Sequence, residues 1–282
     1  MSKRFFLRSR RFWRIAPAYL MSVAQREWQL AVLTLGGLAP GVAALTAWLH
    51  LALLVQTQPY PNSLRGWLLP APLLDLLGPQ GVLVGAGVVT LLIGCIGLTN
   101  AHLASIEHRV GELSRFETLA LLLLEVLATG LLGSGVGVIL GLVLNQFTWQ
   151  AAAVYFRLTA DPAVQGMAIL TGFGVGLLAA FLFMGFLALT AAVELPGLAL
   201  HSRAYTELPD IWLKWRTSFW ATSLLGTLYA ALLVAAAGLP ILPWKTTLTL
   251  TALAVTLSSL LTGGGWLLTK LYWRLPKPGE MP

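Results

Sequence analysis

The sequence predicts an all-α fold: a polytopic membrane helical bundle of about six transmembrane helices, preceded by an N-terminal amphipathic interfacial helix. Three observations carry this reading. Of the 282 residues, 57% are hydrophobic and only 10% charged, with a mean hydropathy of +0.78; soluble domains carry roughly 25% charged residues. Charged residues divide the chain into uncharged windows at 28–64, 76–106, 126–156, 162–193, 217–244 and 246–269. Basic residues then segregate to alternate connections, as they do in membrane proteins. This composition excludes a soluble enzyme, a disordered chain and a soluble nucleic-acid binder. The net charge of +7 is therefore assigned to lipid headgroups and not to nucleic acid.

Segment 1–27 forms a basic amphipathic region. Phe5, Phe6, Leu7, Phe12, Trp13, Ile15, Tyr19 and Leu20 alternate with six basic residues up to Arg14. That mixture suits a helix lying in the inner headgroup layer, broken or kinked at Pro17. A disordered basic anchor is the plainer alternative. The basic stretch is too extended, and the following apolar run too long, for a cleavable signal peptide, so the segment is expected to be retained.

Trimmed to their apolar parts, the windows give spans near 29–54, 81–102, 119–144, 167–193, 219–241 and 247–269. Each supplies the roughly 20 residues that one crossing needs. Of the 18 basic residues, 15 lie on the side of the N-terminus; only Arg65, Arg157 and Lys245 lie opposite. The positive-inside rule places both termini in the cytoplasm. Trp28, Trp149, Trp220, Trp244 and Trp273 stand at span edges, as an aromatic belt requires. The first outer connection, 55–80, is rich in proline (Pro59, Pro61, Pro70, Pro72, Pro79) and leaves no room for a large external domain.

The third span contains a stripe of small residues, Thr129, Gly133, Gly137 and Gly141, at every fourth position. Gly172, Gly176 and Ala180 repeat the pattern on the fourth. Such stripes allow close approach of another helix; helix packing is the expected role and a substrate groove the alternative. Glu125 lies inside the third span, where a carboxylate costs about 2–3 kcal/mol. It is expected to make an interhelix hydrogen bond or, as the alternative, to contact a proton or substrate. No intramembrane Lys or Arg stands out as its partner.

Cys95, the only cysteine, forms no intramolecular disulfide and makes no metal site; a small buried packing residue is expected. His50 and His102 lie near span ends, His108 and His201 in inner loops, without ligand spacing. No catalytic triad, nucleotide-binding loop or metalloprotease helix is present in the sequence. No catalytic residue, metal or cofactor is expected, and any ATP hydrolysis would belong to a partner.

One inner segment carries more information. It reads Asn100-Ala-His-Leu-Ala-Ser-Ile-Glu-His-Arg-Val-Gly-Glu-Leu, and is followed by Leu-Leu-Leu-Leu-Glu125-Val-Leu-Ala-Thr-Gly. Together they resemble the FtsX-like (MacB-type) ABC transporter permease family. Asn100, Ser105, Arg109 and Glu112 fall on that family's inner-segment pattern, and Glu125, Gly130 and Gly133 on its next helix. The first span is similar to the family's first helix, and 201–215, with Arg203 and Leu208-Pro-Asp, to its closing segment. The resemblance covers 28–215 as a four-helix permease-type region, leaving 216–282 as an added two-helix hairpin with a basic tail. His108 replaces a family Glu, Ser114 replaces a Gly, the inner loop is shorter, and the family's large external domain is lacking.

The resemblance implies the membrane subunit of an ABC-type complex, in a bacterial inner membrane, as a homo- or heterodimer. Its work would be export or extraction of a lipid-like or amphipathic molecule, or mechanical transmission. A separate cytoplasmic ATP-binding subunit would dock on 106–116 through Glu107, His108, Arg109, Glu112 and Arg115. Region 201–216 and the N-terminus would be secondary contacts. The alternating charges of 106–116 also suit a short surface helix on their own account. Two readings compete: a membrane scaffold or assembly factor, and an intramembrane enzyme or proton-coupled carrier using Glu125.

Overall fold

The computed structural model describes residues 28–57, 71–109, 115–156, 165–185 and 224–272. The N-terminal segment 1–27 and the 201–216 region lie outside them. The described residues are helical, joined by a turn, with no strand. The helices are α1 Trp28–Thr57, α2 Ala71–Arg109, α3 Arg115–Phe156, α4 Gly166–Ala180, α5 Leu224–Gly238 and α6 Trp244–Tyr272. Four apolar stretches are long enough to cross a membrane: Leu35–Leu54, Gln80–Leu98, Leu122–Phe147 and Gly166–Gly185. The chain is therefore an integral membrane protein. These stretches overlap the first four expected spans; the last two expected spans fall on α5 and α6.

The central helix is α1. Leu38, Val42, Leu45, Thr46, Leu49 and His50 are all fully buried, which requires neighbours on several faces. Small residues on those neighbours allow this. A Cβ on Gly94 of α2 would fall 2.5 Å from the Gly37 carbonyl oxygen, and one on Gly87 would lie 2.9 Å from Leu45. Since rising numbers on α1 meet falling numbers on α2, the two run antiparallel. On another face Gly133, Gly137 and Gly141 of α3 meet Leu38, Val42 and Thr46 in the same order, so α3 is parallel to α1. Gly176 and Gly172 of α4 meet Val42 and Thr46 in reverse order, so α4 is antiparallel.

Two features depart from a simple reading of the loops. α2 begins at Ala71, inside the expected outer connection, and contains a kink at Gly78, whose φ is 66°. Pro79 disfavours the helical region for the residue before it, and only glycine takes this backbone conformation without steric cost. α4 passes into a π-helical turn, Phe181–Gly185, from which Phe183 meets Tyr229 of α5 edge-on at 5.5 Å.

α5 and α6 form an antiparallel hairpin. Gly238 packs on Thr247, and eleven residues further along each helix Thr227 Oγ1 lies 3.0 Å from Ser258 Oγ. The hairpin meets α2 where Gly81 faces Thr246 and Gly85 faces Leu250, so α6 runs parallel to α2. Direction thus alternates through all six helices. At the turn Trp244 is exposed and Lys245 Nζ lies 5.9 Å from its ring centre, an arrangement suited to an interface. Trp149, expected in the aromatic belt, is instead buried: it shares α3 with the inward row of Val138 and Asn145.

Cys95 is fully buried on α2 within the apolar core. We expect a maleimide to leave it unmodified in the folded protein and to label it after denaturation in sodium dodecyl sulfate. Rapid labelling in intact membranes would contradict this packing.

Candidate functional site

The most distinctive arrangement is the seam where α1 passes between α3 and α4. Five glycines remove side chains from its walls. A Cβ on Gly137 would lie 2.6 Å from Val42 Cβ and 2.8 Å from the Ala39 carbonyl oxygen; one on Gly176 would lie 2.6 Å from Val42 Cγ2. Gly133, Gly141 and Gly172 are equally closed by Leu38, Thr46 and the Thr46 hydroxyl. Dispersion and close backbone approach hold such contacts together, because burial from lipid brings no hydrophobic gain between helices.

Polar groups lie in this dry seam. Thr46, His50 and Ser134 are fully buried, and Asn145 and Thr171 nearly so. His50 Nδ1 donates to the Thr46 carbonyl oxygen at 2.9 Å, so Nε2 carries the lone pair. Thr46 Oγ1, Ser134 Oγ and His50 Nε2 have no hydrogen-bond partner among the described residues. Ser134 Oγ faces Gly176 and Thr46 Oγ1 faces Gly172, one turn apart on α4. An unmade buried hydrogen bond costs roughly 1–3 kcal/mol, so three in one seam are a sizeable charge on stability. Thr residues on α6 behave otherwise: Thr249 and Thr251 donate to carbonyls one turn back, at 2.9 and 2.8 Å.

The structure distributes the sequence-derived candidates between two places. Gly133, Gly137, Gly141, Gly172 and Gly176 all converge on α1, in the packing role expected of them. Glu125 is half-buried on α3, two turns before Gly133. By register His50 stands near Asn145, about 30 Å along α3 from Glu125, so the carboxyl and the imidazole do not share a site. Glu107, His108 and Arg109 end α2 and Arg115 begins α3; Glu112 lies outside the described residues. Among the described residues no group of His, Cys, Asp or Glu is placed to hold a metal.

Sequence reasoning missed Thr46, Ser134, Asn145 and Thr171, and saw His50 only as a span-end residue. Isolated hydroxyls in apolar helices usually bond to their own backbone. The available signal was position: Ser134 adjoins the glycine stripe, and Thr46 and His50 sit one turn apart on α1.

The bundle and its seam define a polytopic helical membrane protein. No family model, no curated protein and no solved structure matches this chain.

Proposed function

We propose that this chain is the membrane subunit of an ABC-type complex, with six spans, both termini cytoplasmic and the basic N-terminal segment on the inner leaflet. A separate cytoplasmic ATPase drives it, and its work is moving a lipid-like or amphipathic molecule or transmitting mechanical motion. One observation carries the reading. α2 continues without a break from Leu98, where its membrane stretch ends, to Arg109; α3 starts at Arg115, ahead of its stretch at Leu122. Both projections emerge at the same end of the bundle. They extend about 16 Å and 10 Å beyond the apolar stretches, with five residues between them. A force on this tip reaches two spans as rigid-body motion. The excess of basic residues on that side supports a cytoplasmic location. The alternating helix directions support six crossings, and the likeness of 100–113 to the FtsX-like inner segment supports an ATPase as the docking partner. A bacterial inner membrane and a homo- or heterodimer follow from the same likeness.

The test is affinity purification in mild detergent from the native host, with mass spectrometry of what accompanies the chain. A stoichiometric ATP-binding subunit is expected, and deletion of 106–116 is expected to release it while leaving the spans inserted. Recovery of membrane proteins alone, without an ATPase, would replace this reading by that of a scaffold or assembly factor.

A further inference from the structure

We propose that the seam between α1, α3 and α4 is a closed binding site for a neutral, hydroxyl-bearing lipid headgroup, uncovered when α4 swings away from α1. The inference rests on the transport reading above and names its substrate class.

The recognition groups are Thr46 and Ser134, whose hydroxyls face Gly172 and Gly176, and His50, one turn beyond Thr46 on α1; each is fully buried with an unpartnered polar atom. Two hydroxyls donate and accept, whereas His50 Nε2 only accepts, because Nδ1 is committed to the Thr46 carbonyl. An occupant must therefore bring a donor of its own, as an alcohol or amide does. It carries no charge: the apolar stretches of α1 and α4 contain no ionisable side chain but His50, and that of α3 contains only Glu125, about 14 Å along the helix from Ser134. A phosphate would lack a cation, and an ammonium group a carboxylate.

Access defines the rest of the molecule. The outer faces beside the seam are apolar, with Leu170 and Phe181 exposed on α4 and Val136 and Ile139 on α3. A ligand passing under α4 from the side travels through hydrocarbon, so it carries acyl or similar chains. α4 is suited to the movement. Its start at Gln165 has no side-chain cap, and a π-helical turn interrupts it at Phe181–Gly185.

The test uses the full chain in phosphatidylcholine nanodiscs with a monoacylglycerol bearing a diazirine in its acyl chain. Cross-linked peptides are mapped after illumination. Labelling of α1, α3 or α4 is expected; unlabelled monooleoylglycerol is expected to suppress it and lysophosphatidic acid of the same chain length to leave it unchanged. The double variant T46V/S134A keeps side-chain volume nearly constant and removes both hydroxyls. It is expected to lose about tenfold in labelling, as the loss of two hydrogen bonds predicts. Its melting midpoint is expected to equal or exceed that of the natural protein, since orphaned groups have been removed. Equal competition by lysophosphatidic acid, unchanged labelling in the variant, or a lowered midpoint would each overturn the proposal; the last would make the hydroxyls packing groups. Headgroup binding without a copurifying ATPase would instead retain the site and refute the transport reading.

Discussion

Gly94→Val is expected to abolish the folded bundle, giving an aggregated or rapidly degraded protein instead of a single peak in fluorescence-detected size exclusion. A Cβ at this position would lie 2.5 Å from the Gly37 carbonyl oxygen, a backbone atom that no rotamer change can move. Overpacking of an interior typically costs 1–3 kcal/mol, and about 3 kcal/mol or more is expected where two backbones must part. The displaced helix is α1, whose other faces hold α3 and α4, so the damage spreads beyond one pair. Gly135→Ala and Gly174→Ala are the controls. Nothing lies within 4 Å of a Cβ at either site. Each is expected to be neutral or stabilising by up to about 1 kcal/mol, the difference in helix propensity. Equal behaviour of Gly94 and Gly135 variants in a thermal melt would refute the packing described.

If the proposed function holds, two glycines inserted after Leu103 are expected to uncouple the chain from its ATPase without releasing it. This site lies between the last membrane-suited residue of α2, Leu98, and the proposed docking tip at Glu107 to Arg109. Two glycines weaken the helix by about 2 kcal/mol and rotate everything beyond them. Because 1.4 kcal/mol is a factor of ten, ATP hydrolysis responsive to the membrane subunit is expected to fall by more than about tenfold in the reconstituted complex. Copurification is expected to persist, since the docking residues remain. Undiminished stimulation would mean that α2 does not transmit force as a rigid rod, and loss of copurification would mean that docking itself depends on helix register.

Much of this architecture was open to reading. Runs of apolar residues without charge must either aggregate or enter a membrane, so six spans were expected, and four of them coincide with helices long and apolar enough to cross. The stripe Gly133, Gly137, Gly141 announced a close helix contact, because every fourth residue shares one helix face. It did not name the partner. Gly37 and Gly94 were not singled out, although Gly41 follows Gly37 by four residues and Ala86 and Thr90 precede Gly94 at the same spacing; among the described residues they form the tightest backbone approach. The helical start at Ala71 was obscured by Pro72 and Pro79, which look like loop residues until one is seen beside a kink at Gly78. Trp149 looked interfacial from its place in the chain and is buried.

Glu125 drew attention as the lone carboxyl of an apolar run, whereas the polar groups that gather in three dimensions are Thr46, His50 and Ser134. The difference is physical. Hydropathy sums over a window register charge strongly and single hydroxyls hardly at all, and they contain no term for which face a residue occupies. The sequence by itself determined that the chain enters the membrane, where its helices lie and which faces are small enough to pack. Only tertiary structure decided that α1 is the helix so enclosed, that α3 runs parallel to it and α4 opposite. It also decided that the Thr46 and Ser134 hydroxyls meet glycines of α4 in one seam, because register between separate helices is set by interlocking side chains and not by any residue's own preference.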